Sequence, residues 1–190
     1  TLRHSSAASD VYKRQAMIDC FCLNHANQWY ALMICDLGTG GAWAFVIRDA
    51  HPPTAAAVYV TYLTRYAVYY GCHRKVIGDV DSIIAGPTAT KLWEELGIER
   101  DSASSFAHST MGSVERKIGV YRWSIDRVSV DSPPTSLQGW EVVLSTLNNQ
   151  FQNEVDFSGT TPSDRIAGRC TSILKNCLLY TSDAADECLS

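Results

Sequence analysis

From Ser105 to Arg127 the chain reads SFAHSTMGSVERKIGVYRWSIDR. The stretch opens as a polar loop carrying His108, and Gly112 offers a tight way into a helix from Ser113. Val114, Ile118, Tyr121 and Ile125 recur at steps of four, three and four, which is one apolar stripe of a helix. Ser113 is placed to act as N-cap. Glu115 then falls in the first turn, where the helix dipole favours a carboxylate, and off the apolar stripe. Arg116 and Lys117 follow at once. A first-turn Glu is commonplace; it acquires meaning through two other carboxylates. Asp79 follows the apolar run Val76-Ile77, with thirty-five residues between it and Glu115, and Asp19 interrupts the apolar run Ala16–Leu23.

Three short strands are predicted in succession at Ala16–Leu23, Trp29–Cys35 and Ala42–Ile47. The turns between them are polar or Gly-rich, which makes an antiparallel meander. Asp36 ends the second strand at such a turn and reads as structural. Pro52-Pro53 opens a long helix ending at Gly71. A fourth strand, Arg74–Gly78, presents Asp79 at its C-terminal end. A helix over Thr88–Leu96, a fifth strand from Ile98, the Glu115 helix, a helix over Leu137–Gln150 and a short one over Pro162–Ala167 complete the chain. The expected fold is therefore α/β: a five-stranded mixed sheet, three antiparallel strands then two parallel ones, with helices on both faces. That order suits the ribonuclease H-like fold. In it the first and fourth strands lie side by side, so Asp19 and Asp79 face each other while Glu115 reaches in from its helix.

The two ends of the chain are set apart from this core. Asp10–Gln15 can be coded gat gtg tat aag aga cag. Its reverse complement, shifted by one base, encodes Cys-Leu-Leu-Tyr-Thr-Ser, which is Cys177–Ser182. Residues 1–15 and 177–190 thus read as one sequencing-adapter oligonucleotide translated from both strands. The natural sequence is expected over 16–176, cut at both ends.

With 16 basic and 20 acidic residues the net charge is −4. Nucleic-acid binding would need a local patch or domains outside this segment. No apolar run is long enough to cross a membrane. The spacing of the seven cysteines lacks a zinc-finger pattern. Cys20, Cys22, Cys35 and Cys72 read as reduced core residues of an intracellular protein.

Met17-Ile18-Asp19, Val76-Ile77-Gly78-Asp79, Leu96-Gly97-Ile98, the run from His108 through Gly112 to Val114-Glu115-Arg116, and the segment from Asn148-Asn149 through Gly159-Thr160-Thr161-Pro162 to Gly168-Arg169 together closely resemble the catalytic core of retroviral and retrotransposon integrases. The resemblance spans nearly all of Ala16–Arg169. It implies Asp19, Asp79 and Glu115 as catalytic carboxylates and ligands of two Mg²⁺ or Mn²⁺ ions. It implies metal-dependent phosphoryl transfer on double-stranded DNA, trimming 3′ ends and joining them to target DNA, by a homo-oligomer acting in the nucleus. His108, Arg116 and Lys117 would contact DNA. The family's usual Asn-Gly after the second Asp is replaced here by Val80-Asp81, which leaves Asp81 as a competing ligand. Alternative readings are a catalytically inactive, DNA-binding or dimerising integrase remnant, and a ribonuclease H-like transposase or nuclease.

Overall fold

A computed structural model describes residues 15–24, 29–48, 52–78, 82–102, 108–130, 132–155 and 159–167. Five strands, β1 (Gln15–Asn24), β2 (Trp29–Asp36), β3 (Ala42–Val46), β4 (Lys75–Gly78) and β5 (Glu99–Ser102), form one sheet in the order β3-β2-β1-β4-β5. β1, β2 and β3 are antiparallel neighbours, and β4 pairs in parallel with both β1 and β5. The first and fourth strands are adjacent, as the element order predicts.

Strand alternation sorts the interior into two layers. Met17 and Phe21 of β1 join Ala31, Met33 and Cys35 of β2, Ala42, Ala44 and Val46 of β3, and Ile77 of β4 on one face. Helices α5 (His108–Val128) and α6 (Leu137–Gln152) cover that face. Ala16 and Ile18 join Leu32, Ile34, Trp43 and Val76 on the other. There the cover is α1 (Ala55–Thr61), a π-helical stretch (Tyr62–Ala67) leading into α2 (Val68–Tyr70), then α3 (Ser82–Ala85) and α4 (Pro87–Glu95). A last helix, α7 (Pro162–Ala167), starts in a reciprocal cap: Thr161 N donates to Asp164 Oδ2 at 2.9 Å, and Asp164 N to Thr161 Oγ1 at 3.1 Å.

The α5 stripe falls where its spacing puts it: Val114, Ile118, Tyr121 and Ile125 are all buried. Each such side chain contributes roughly 1.5–3 kcal/mol. The start of α5 corrects the sequence reading. The helix begins at His108, so Gly112 and Ser113 are interior residues and Glu115 stands about two turns in. The first-turn dipole argument for Glu115 therefore fails. Its two internal glycines, Gly112 and Gly119, cost about 1 kcal/mol each, which four buried residues outweigh. The first long helix also starts later than Pro52-Pro53. Thr54 is the N-cap, its side chain accepting from Ala57 N at 3.2 Å, and Gly71 closes α2 at φ 81°. Cys35 is buried, Cys20 and Cys22 are half-buried, and Cys72 is exposed rather than a core residue. All four are free thiols.

Among the described residues no helix is long and apolar enough to cross a membrane.

Candidate functional site

β1 places Asp19. It shares parity with Met17 and Phe21, and its register partner is Met33, so its half-buried side chain stands on the face that α5 covers. Asp19 Oδ1 accepts from Cys20 N at 2.7 Å. Its charge is felt by buried Cys35. Burial is the main reason that thiol is pushed up to about 11; Lys117 opposes the rise, and Asp19 and then Asp36 add to it.

β4 sets the second position. Its register with β1 runs from Gln15↔Lys75 to Ile18↔Gly78, so Asp19 is the residue immediately after the last β1–β4 pair. Gly78 is required where it sits. A Cβ there would come within 2.4 Å of Ile84 Cγ2 and 3.6 Å of the Ile18 carbonyl oxygen, so only glycine lets α3 close over the strand end. Asp79, Val80 and Asp81 lie outside the described residues.

α5 carries the third. Glu115 is exposed, directly after buried Val114. Arg122, two turns on, lies on the same flank. The Arg122 guanidinium carbon sits 5.7 Å from the centroid of the Phe21 ring. Phe21 follows Asp19 by two residues on the same face of β1. The flank of α5 that holds Glu115 is thus turned toward the row of β1 that holds Asp19. Arg116 is exposed; Lys117 is half-buried, and its Nζ donates to the Gly40 carbonyl of the β2–β3 turn. His108 is the first residue of α5, and its side chain lies outside the description. Among the described residues no three His, Cys, Asp or Glu groups form a metal-sized cluster.

The opposite flank of α5 borders a separate groove of about 850 Å³, lined by Lys117, Val120, Trp123 and Ser124 with residues of α6 and α7.

Two features were not read from the sequence. One is Arg122, whose i+7 spacing from Glu115 was the available signal. The other is a buried polar cluster of Asp36, Tyr62, Tyr66 and His73 on the far face of the sheet. Its members are scattered along the chain, and no local pattern joins them.

Among solved structures, a chain of the simian T-cell lymphotropic virus intasome, solved with the PP2A regulatory subunit B56 gamma, is similar with a TM-score of 0.68 at 14% identity. The match covers 81% of this chain and 54% of that one. The catalytic core domain of BIV integrase is similar with a TM-score of 0.63 at 18% identity, covering 80% of this chain and 92% of that one. The HTLV-2 integrase catalytic core domain in complex with magnesium, in a dimeric form, gives 0.63 at 13% identity, covering 81% and 96%. No protein-family model and no curated protein matches the sequence. The fold is thus the ribonuclease H-like α/β fold of retroviral integrase cores. The chain spans about half the length of the intasome chain it matches.

Proposed function

We propose that residues 16–176 are the catalytic core of an integrase from a retrovirus-like element or retrotransposon, with the flanking segments translated adapter. The observation that carries this reading is the placement of Asp19 on the α5 face, one residue past the β1–β4 pairing, opposite the flank of α5 that bears Glu115 and Arg122.

Asp19, Asp79 and Glu115 are the residues that would hold divalent cations. Their hard oxygen donors suit Mg²⁺ or Mn²⁺ and not zinc. Two carboxylates about 4 Å apart repel by roughly 4 kcal/mol at an effective dielectric near 20, so such a trio is stable in a cleft only with cations. When bound, the ions supply charge neutralisation at a reacting phosphate. Arg116 and Arg122 flank Glu115 and offer guanidinium groups to DNA phosphates; Lys117, tied to the β2–β3 turn, is the weaker candidate. The substrate is double-stranded DNA, the element's ends and the target, and the working form is a homo-oligomer in the nucleus.

The substitution of Val80-Asp81 for Asn-Gly keeps one alternative in view, a DNA-binding remnant without catalysis. An integrase rebuilt around this core, with the flanking domains of a related enzyme, separates the two. Mg²⁺-dependent strand transfer should be lost in Asp19→Asn and in Glu115→Gln. An inactive parent that still binds DNA would favour the remnant. Activity unaffected by both substitutions would sink the proposed site.

A further inference from the structure

His73 is 2% exposed and sits two residues before β4. Its backbone N–H donates to the Tyr62 hydroxyl at 3.0 Å, and its Nδ1 lies 3.0 Å from that same hydroxyl. Its Nε2 lies 3.1 Å from the Tyr66 hydroxyl and 3.6 Å from Asp36 Oδ2. The ring stacks on Tyr66, with centroids 4.9 Å apart at 16°. Tyr62 and Tyr66 both belong to the π-helical stretch and stack on each other at 5.7 Å. π-Helical turns are rare and recur at functional positions; here the wider turn brings two hydroxyls to one imidazole. Asp36, also buried, spends its other oxygen on the turn, accepting from Gly38 N at 2.8 Å and Thr39 N at 2.9 Å.

These contacts converge on one place in the sheet. Ala16 of β1 is the register partner of Asp36 on one side and of Val76 on the other. The cluster therefore ties the start of β4 to the same stretch of β1 and β2 from which Asp19 is counted. β4 has only four residues and four register pairs with β1, few bonds with which to define its own alignment. A slip of one residue would turn every β4 side chain to the other face.

We propose that the His73 cluster is a register lock for β4, and that His73, Tyr62 and Asp36 are positioning residues for the end of that strand beside Asp19. The lock concerns the sheet itself; its consequence for a cation rests on the integrase reading above.

The test uses the full 190-residue chain with His73→Leu and Tyr62→Phe, the second removing only the hydroxyl that receives the His73 backbone N–H. Three quantities are read: the thermal midpoint, the cross-strand NMR contacts between Ile18 and Gly78, and the affinity for Mn²⁺ alone, with Asp19→Asn as control. The lock predicts weakened Ile18–Gly78 contacts in both variants at temperatures where circular dichroism still shows a folded chain. It predicts a rise in the Mn²⁺ dissociation constant of about 10-fold or more, the scale of lost outer-shell support at metal sites. A cluster that merely stabilises would lower the thermal midpoint and leave register and affinity unchanged, which would overturn the proposal. If His73→Leu does not fold, Tyr62→Phe decides. If Asp19→Asn binds Mn²⁺ as well as the parent does, the integrase site fails, and the register contacts alone judge the lock.

Discussion

Single residues carry most of the chemistry, and their surroundings separate residues of the same type. Cys35 and Cys72 are both free, yet one is buried and the other exposed. Burial, opposed by Lys117 and aided by Asp19 and Asp36, raises the Cys35 thiol from 9.0 to about 11. At pH 8 iodoacetamide should modify Cys72 well before Cys35, as read by peptide mass spectrometry; equal labelling would contradict the packing. The sign for stability follows from the raised value. The neutral thiol's contribution is complete below pH 9 and is lost as pH rises through about 11, so the alkaline fall in stability should be shallower in Cys35→Ser. Asp79 and Asp81 are likewise separated by position. Residues two apart on any extended chain are about 6–7 Å from each other, too far to serve one coordination point. In the rebuilt integrase Asp79→Asn should abolish strand transfer and Asp81→Asn should keep most of it. The reverse result would mean that the spacing argument is off by two residues. The sequence placed Asp36 correctly at its turn, but its second oxygen faces His73, far along the chain, and no local pattern carries such a contact.

At the scale of elements, the strands, their meander and the apolar stripe of α5 were legible because each is a local periodicity. The start of α5 was not, since a serine ahead of an apolar stripe resembles a cap whether or not the helix extends before it. The π-helical stretch was hidden for a related reason: two tyrosines four apart fit an α-helix equally well, and only the contact with His73 gives the wider turn a purpose. α6 shows how a helix can finish a sheet. β3 lies at the sheet's edge, and Asn148 serves its Ala44 as another strand would. Ala44 N donates to Asn148 Oδ1 at 2.8 Å, and Asn148 Nδ2 donates to the Ala44 carbonyl at 3.0 Å. The Tyr121 hydroxyl adds 2.9 Å contact to the same Oδ1 and reaches the Ala42 carbonyl at 3.0 Å. Asn148→Ala leaves the Ala44 N–H and carbonyl without this partner, while the Tyr121 hydroxyl keeps the Ala42 carbonyl, and should cost about 1–3 kcal/mol, measured by urea unfolding. A change near zero would mean the edge does not depend on α6.

Across the whole molecule, one sheet with two covered faces divides the labour. The face under α1, the π-helical stretch, α3 and α4 fixes the strands, through His73 and through the close approach of Ile84 to Gly78. The face under α5 and α6 presents Asp19 toward the Glu115 flank. The β2–β3 turn and the first residue of β3 join the parts: Thr39 O accepts from Arg165 of α7 at 2.6 Å, Gly40 O from Lys117 of α5, and Ala42 O from Gln152 of α6. On the proposed reading this scaffold brings Asp19, Asp79 and Glu115 together around two cations, and crystals of the chain soaked in Mn²⁺ give the decisive measurement. Anomalous density is expected with Asp19 and Asp79 oxygens at roughly 2.0–2.2 Å and Glu115 completing the site. Density held by Asp81 in place of Asp79, or no Mn²⁺ at Asp19, would contradict it.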